Sequence, residues 1–149
     1  PVTMGQCEPL IDGPDGLIIG CGSLAGSCLA AVEELQKEGL NVGLINARFI
    51  KPLDKDTLLK RIQMSPWVVS VEENTLQAGF GSAILEAIHD AALQTGPIRR
   101  LGIPDQFIEH GDRADLLSSL TLDASGIADV CRELSGQTAT AAVAAPLQD

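Results

Sequence analysis

Two adjacent carboxylates, Glu72 and Glu73, follow the apolar run Trp67-Val68-Val69-Ser70-Val71. Carboxylates at strand ends are a common source of general acid–base pairs. Neighbouring residues at the end of a strand point in different directions, however, so only one can face a given cleft and a working dyad is not expected. Further on, Gly79-Phe80-Gly81-Ser82 opens a helical pattern, and backbone amides at such a start can cradle an anion. The two glutamates just upstream would oppose a phosphate there, so the glycines read as a means of packing the helix closely on a sheet. Gly20-Cys21-Gly22-Ser23-Leu24-Ala25-Gly26 also joins a strand to a helix, the setting of a dinucleotide-binding turn. Its third glycine falls one residue late, and Asn46 stands where the ribose-binding acid is expected. The string therefore reads as a tight turn that needs small residues.

The remaining reactive side chains are sparse. His89 lies beside Asp90 on a helical pattern and reads as solvated. His110, between Glu109 and Gly111 in a turn-like segment, reads as a structural hydrogen-bonding residue before a catalytic one. No G-x-S-x-G string is present. Cys7, Cys21, Cys28 and Cys131 form no C-x-x-C pair and have no obvious activating base. Cys28 and Cys131 fall in apolar helical patterns, so free buried thiols in a reducing cytoplasm are expected, without metal or disulfide use.

The elements that must position these residues alternate between apolar runs and helical patterns, the signature of an α/β domain with a largely parallel sheet. Strands are expected at Leu17–Cys21, Val42–Asn46, Trp67–Val71 and Ile98–Leu101. The first three show little polar alternation, as when helices cover both faces. Between them, Leu24, Cys28, Ala31, Val32 and Leu35 recur at helical spacing, with Ser23 placed as N-cap and Gly39 as the left-handed stop. Asp54 caps a short helix carrying Leu58, Leu59 and Ile62. Ile84, Leu85, Ile88 and Ala92 stripe a longer one that Gly96-Pro97 ends. A last helix begins near Asp123 and buries Ile127, Val130, Cys131 and Leu134. Gln6 to Asp12 is suited at most to an edge strand, because Pro9 cannot donate to a ladder. One domain over 1–136 and a disordered tail over 137–149 are expected.

With 149 residues, 45% of them hydrophobic, and a mean hydropathy of +0.18, the chain is long enough for one buried core. Its net charge of −10 disfavours nucleic-acid partners. No apolar run reaches the roughly 18 residues of a membrane span, and no signal-peptide pattern is present. The chain opens at Pro1 without an initiator Met, as expected of a piece of a longer protein.

Four strings carry a resemblance: Ala47-Arg48-Phe49-Ile50-Lys51-Pro52-Leu53-Asp54, Val71-Glu72-Glu73-Asn74, Gly79-Phe80-Gly81-Ser82, and Leu101 to Gly111, which contains Pro104-Asp105-Gln106-Phe107-Ile108-Glu109-His110-Gly111. In this order and spacing they resemble the C-terminal domain of the 1-deoxy-D-xylulose-5-phosphate synthase family, within the transketolase superfamily. The second and third strings are shared with the C-terminal domains of 2-oxo acid dehydrogenase β-subunits, which remain an alternative. Leu122-Asp123-Ala124-Ser125-Gly126-Ile127 is similar to the synthase's closing helix. The family often carries basic residues in its first strand, where this chain has Cys7-Glu8-Pro9.

The resemblance implies a three-layer α/β/α domain around a five-stranded mixed sheet, order 1-3-2-4-5, with strand 1 antiparallel. It implies an enzyme that condenses pyruvate with glyceraldehyde 3-phosphate, losing carbon dioxide, at the entry to non-mevalonate isoprenoid synthesis. Thiamine diphosphate and magnesium would be held by upstream domains, with no cofactor, metal or catalytic residue in this part. Expected partners are those upstream catalytic domains and the second subunit of a homodimer, in the cytoplasm or, for a plant or alga, the plastid. In that sheet order strands 2 and 4 are neighbours whose connections diverge, and the crevice between their ends is a default ligand site. Gly22, Ser23, Glu72, Glu73 and Asn74 would line it, with Arg48 and His110 nearby. Arg48 is expected to cross the Gly22-Ser23 turn and pair with Glu72 or Glu73; the alternative is an exposed arginine contacting another domain. A structural and assembly role is one reading of the crevice, and a regulatory small-molecule site is the other.

Overall fold

The computed structural model describes residues 2–144, with side chains described through Gly136. Five strands form one sheet: β1 (Glu8–Pro14), β2 (Gly16–Cys21), β3 (Val42–Asn46), β4 (Val68–Thr75) and β5 (Ile98–Ile103). Their spatial order is β1-β3-β2-β4-β5, with β1 antiparallel to β3 and the other pairs parallel. Five helices connect and cover them: α1 (Ala25–Lys37), α2 (Lys55–Gln63), α3 (Phe80–Asp90), α4 (Arg113–Ser119) and α5 (Ala124–Ala144).

The central strands are apolar on both faces because both faces are covered. On one face Ile18, Leu44, Val69 and Val71 pack with Leu24, Cys28, Leu35, Ile127, Cys131 and Leu134 from the α1 and α5 side. On the other, Leu17, Ile19, Ile45 and Val68 pack with Leu58, Ile62, Phe80, Ile84 and Ile88 of α2 and α3. Right-handed crossovers that run in opposite directions from β2 and β4 place α1 on one face and α3 on the other. The point of divergence is the pair β2–β4, where Cys21 sits opposite Glu72.

Local chemistry accounts for most element boundaries. Gly39, at φ +86°, ends α1 with the left-handed residue that a side chain would strain. Asp54 caps α2, accepting the amide of Thr57 at 3.1 Å, and its second oxygen accepts the amide of Cys7 at 3.0 Å. Desolvation opposes ionisation of that carboxylate, but the hydrogen bonds from Cys7 and Thr57 prevail and hold it below the usual aspartate range. Asp123 accepts the amide of Gly126 at 2.9 Å at the start of α5. Pro9 lies on β1, at the sheet edge, where a missing donor costs nothing.

Three expectations change. Ser23 is not an N-cap: it lies in a 3-10 turn, Gly22–Leu24, and Leu24 takes the cap position without a side-chain bond. The strand expected to end at Leu101 continues to Ile103, and a helix absent from the sequence reading, α4, follows it. Of the tail expected over 137–149, residues 137–144 continue helix α5, and 145–149 lie outside the described residues. Among the described residues, no helix is long and apolar enough to cross a membrane.

Candidate functional site at the sheet switch point

Glu72 and Glu73 sit on consecutive residues of β4 and meet different partners, as strand alternation requires. Glu72 turns toward α3 and is 2% exposed. Its carboxylate accepts the amide of Phe80 at 2.7 Å and that of Gly81 at 2.9 Å. These are first-turn amides of α3, so the helix start that could have held an external anion holds the chain's own carboxylate. The helix dipole and two charge-assisted hydrogen bonds offset its burial. A Cβ at Gly79 would lie 2.3 Å from the Glu72 Oε2, so the glycine at the cap is what admits the carboxylate.

Glu73 turns the other way, toward the mouth of the crevice. Arg113, the first residue of α4, grips it with a two-pronged guanidinium: Nε donates to Oε1 at 3.1 Å and Nη2 to Oε2 at 2.6 Å. The Ser23 hydroxyl donates to the same Oε2. The Arg113 and Ser23 hydrogen bonds hold Glu73 below the usual carboxylate range. A depressed folded value contributes stability that is present above the unfolded carboxylate's ordinary 4.5 and is lost as pH falls below it. We therefore expect Arg113→Ala to return the Glu73 titration toward 4.5 and to reduce the acid sensitivity of unfolding between that pH and the lower folded value. Carboxyl-carbon NMR titration of both proteins checks this; superimposable Glu73 curves would remove Arg113 as the cause.

Arg48 does not cross to either glutamate. It pairs with Glu8 of β1 at 2.5 Å, and its backbone sits at φ +57° with its amide donating to the Asn46 side chain at 3.1 Å. The expected bridge fails for a geometric reason. β3 is flanked by β1 as well as β2, and after Asn46 the chain turns so that the arginine meets the antiparallel edge strand, whose Glu8 is opposite Asn46. Arg113 takes the role assigned to Arg48, delivered by the helix the sequence reading missed.

Of the other candidates, Gly22 is exposed at φ +73°, and Asn74 is exposed near the end of β4. His110 is exposed in the loop between β5 and α4. A further residue overlooked in the sequence, Arg100 of β5, ties down the loop before α3: its Nη1 donates to the Leu76 carbonyl at 2.7 Å and to the Ser82 hydroxyl at 3.0 Å. Burial pushes the Cys28 and Cys131 thiols up to about 12, which leaves neither as a nucleophile at neutral pH.

The donor set does not fit a diphosphate–metal cofactor. Glu72 fills the amide cradle, Glu73 presents negative charge at the crevice mouth, and Arg113 is already committed to it. Among the described residues, no group of three or more His, Cys, Asp and Glu side chains is arranged to hold a metal ion.

A sheet in this order, with diverging connections closed by side chains of its own, defines a class. Residues 5–127 match the transketolase C-terminal domain family, and the chain belongs to that family. Among curated relatives it is similar to the 1-deoxy-D-xylulose-5-phosphate synthase of Rhodopirellula baltica, at 42% identity over 137 residues, or 92% of this chain and 21% of that protein. The synthase of Bacillus licheniformis is 46% identical over 119 residues, 80% of this chain and 19% of that one. The chain thus spans about a fifth of the length of these relatives. Among solved structures, a split-gene transketolase described as an inactive β4 tetramer has the same fold, with a TM-score of 0.82 and 24% identity over 91% of this chain and 44% of that one. A transketolase of Pichia stipitis gives a TM-score of 0.65 at 15% identity, covering 89% of this chain and 18% of that one.

Proposed function

We propose that this chain is the non-catalytic assembly domain of a 1-deoxy-D-xylulose-5-phosphate synthase, the enzyme that joins pyruvate to glyceraldehyde 3-phosphate with loss of carbon dioxide. The observation that carries the reading is the self-filled crevice: Glu72 occupies the α3 amides while Glu73, Ser23 and Arg113 bridge the mouth. A switch point plugged by its own side chains holds β2, β4, α3 and α4 in fixed relation, which suits a docking body more than a reacting one. Thiamine diphosphate and magnesium belong, on this reading, to parts of the enzyme outside this chain. Its partners are those catalytic parts and the second subunit of a homodimer, in the cytoplasm or a plastid. The similarity to named synthases at 40% identity or more, over most of the chain, favours this enzyme over a 2-oxo acid dehydrogenase. A regulatory ligand at the crevice would have to displace the Glu73–Arg113 pair, which disfavours that alternative.

The test is an exchange. The matching fifth of the Rhodopirellula baltica synthase is replaced with this chain, and product is assayed from pyruvate and glyceraldehyde 3-phosphate with thiamine diphosphate and magnesium. An active chimera, alongside an inactive isolated chain, is the expected result. Product from the pure isolated chain would overturn the non-catalytic role, and a folded but inactive chimera would overturn the synthase assignment.

A further inference from the structure

Phe107, in the segment between β5 and α4, is 90% exposed, more than any other large apolar side chain among the described residues. Beneath the same segment is an apolar hollow of about 180 Å³, walled by Ile103, Ile108, Leu116 and Leu120 together with the paired Glu73 and Arg113. An aliphatic cavity of about 150 Å³ is enough to hold a benzene ring. An unfilled hollow of phenyl size and a phenyl ring left in water thus occur within one short stretch of chain. Each costs free energy that seating the one in the other would remove.

The bonds that fix this segment lie at its ends. At the β5 end the Ile103 carbonyl accepts the Leu76 amide at 2.8 Å. At the α4 end the Asp112 side chain accepts the Ala114 amide at 2.9 Å, and Arg113 grips Glu73. The Gln106 amide donates to the Pro104 carbonyl at 2.8 Å, a bond local to the segment. Among the described residues, no hydrogen bond or ion pair joins 107–111 to the rest of the domain, and all five but Ile108 are exposed.

We propose that residues 104–112 form a strap with two settings, and that Phe107 swings into the hollow in the closed one. Pinned ends and a middle without hydrogen bonds are what a low-cost local motion requires. The motion is a rotation confined to 106–108. A flip of the whole strap would carry the exposed Asp105 and Glu109 inward toward Glu73, like charge against like. Rotation at Phe107 alone leaves both acids in water and the Glu73–Arg113 pair intact, because a neutral ring competes for neither charge. The closed strap hides the most exposed large apolar side chain of the domain; the open one offers it outward. This device goes beyond the assembly reading and does not depend on which enzyme the domain serves.

Chymotrypsin, which cuts after exposed phenylalanines, reads the open setting of the 149-residue chain. When opening and closing are fast relative to cleavage, the rate follows the open population, so a strap closed about nine-tenths of the time is cut after Phe107 about tenfold more slowly than an open one. Leu116→Trp, which fills the hollow, should restore the fast rate. In the unaltered chain, nuclear Overhauser contacts should join the Phe107 ring to the Leu116 and Leu120 methyl groups. A Phe107 ring without those contacts overturns the strap, and this result stands even if Leu116→Trp fails to fold. Protection that disappears on dilution also overturns it, because a contact within one chain does not depend on concentration. Equal cleavage rates for the unaltered chain and a folded Leu116→Trp variant would do the same.

Discussion

Glu72→Ala should destabilise the domain by about 3 kcal/mol, through two buried amides left without an acceptor. Phe80 and Gly81 are buried at the start of α3, and their amides point at the carboxylate rather than at water. Alanine cannot accept a hydrogen bond, and it also removes the negative charge from the positive end of the helix dipole. Glu72→Gln keeps one strong acceptor and should lose only about 1 kcal/mol. Against a total stability of about 5–15 kcal/mol, the alanine variant is a large perturbation and the glutamine variant a modest one. Urea unfolding measures both, and the Phe80 and Gly81 amides should exchange with solvent faster in the alanine variant. An unchanged midpoint for Glu72→Ala would show that the amides find another acceptor and that the carboxylate is not the anchor of α3.

Gly79→Ala should cost about 2–3 kcal/mol by overpacking the same joint. The glycine has φ −86°, an ordinary value, so backbone preference is not the cause. The cause is space: an added Cβ would lie 2.1 Å from the Thr75 carbonyl oxygen and 2.3 Å from the Glu72 carboxylate. One obstacle is backbone and the other is held by two amides, so neither yields cheaply. Restricting the unfolded chain would by itself favour alanine by about 0.4–1 kcal/mol, and the clash should outweigh it. Gly26 supplies the contrast, because a Cβ there on α1 meets nothing within 4 Å. Gly26→Ala should be neutral or stabilising by up to about 1 kcal/mol. Equal thermal midpoints for the two variants would refute the steric account of Gly79.

The local devices were legible because they act within a few residues. Asp54 caps α2, Gly39 stops α1, and the apolar runs of β2, β3 and β4 are strands, each for reasons the immediate sequence contains. Helix α4 was legible in principle: Asp112 precedes Leu116, Leu117 and Leu120 at helical spacing, and its side chain does accept the amide of Ala114 at 2.9 Å. Only seven residues long, that helix has too few turns for periodicity alone to stand out.

The partners of the charged residues belong to a different category. Arg48 lies within reach of several acids in any plausible sheet, and the turn after β3 decides that it meets Glu8. Glu73 finds Arg113 forty residues away in sequence, and no spacing rule connects the two. Glu72 was read as an obstacle to an anion at the α3 start; in three dimensions it is that anion. The sequence by itself determined which segments become strands and helices, because those choices follow from apolar period and capping chemistry. Which carboxylate turns inward and which arginine closes the crevice were decided only when the sheet order brought β2, β4, α3 and α4 to one point, since long-range pairing depends on where strand ends and helix starts lie in space.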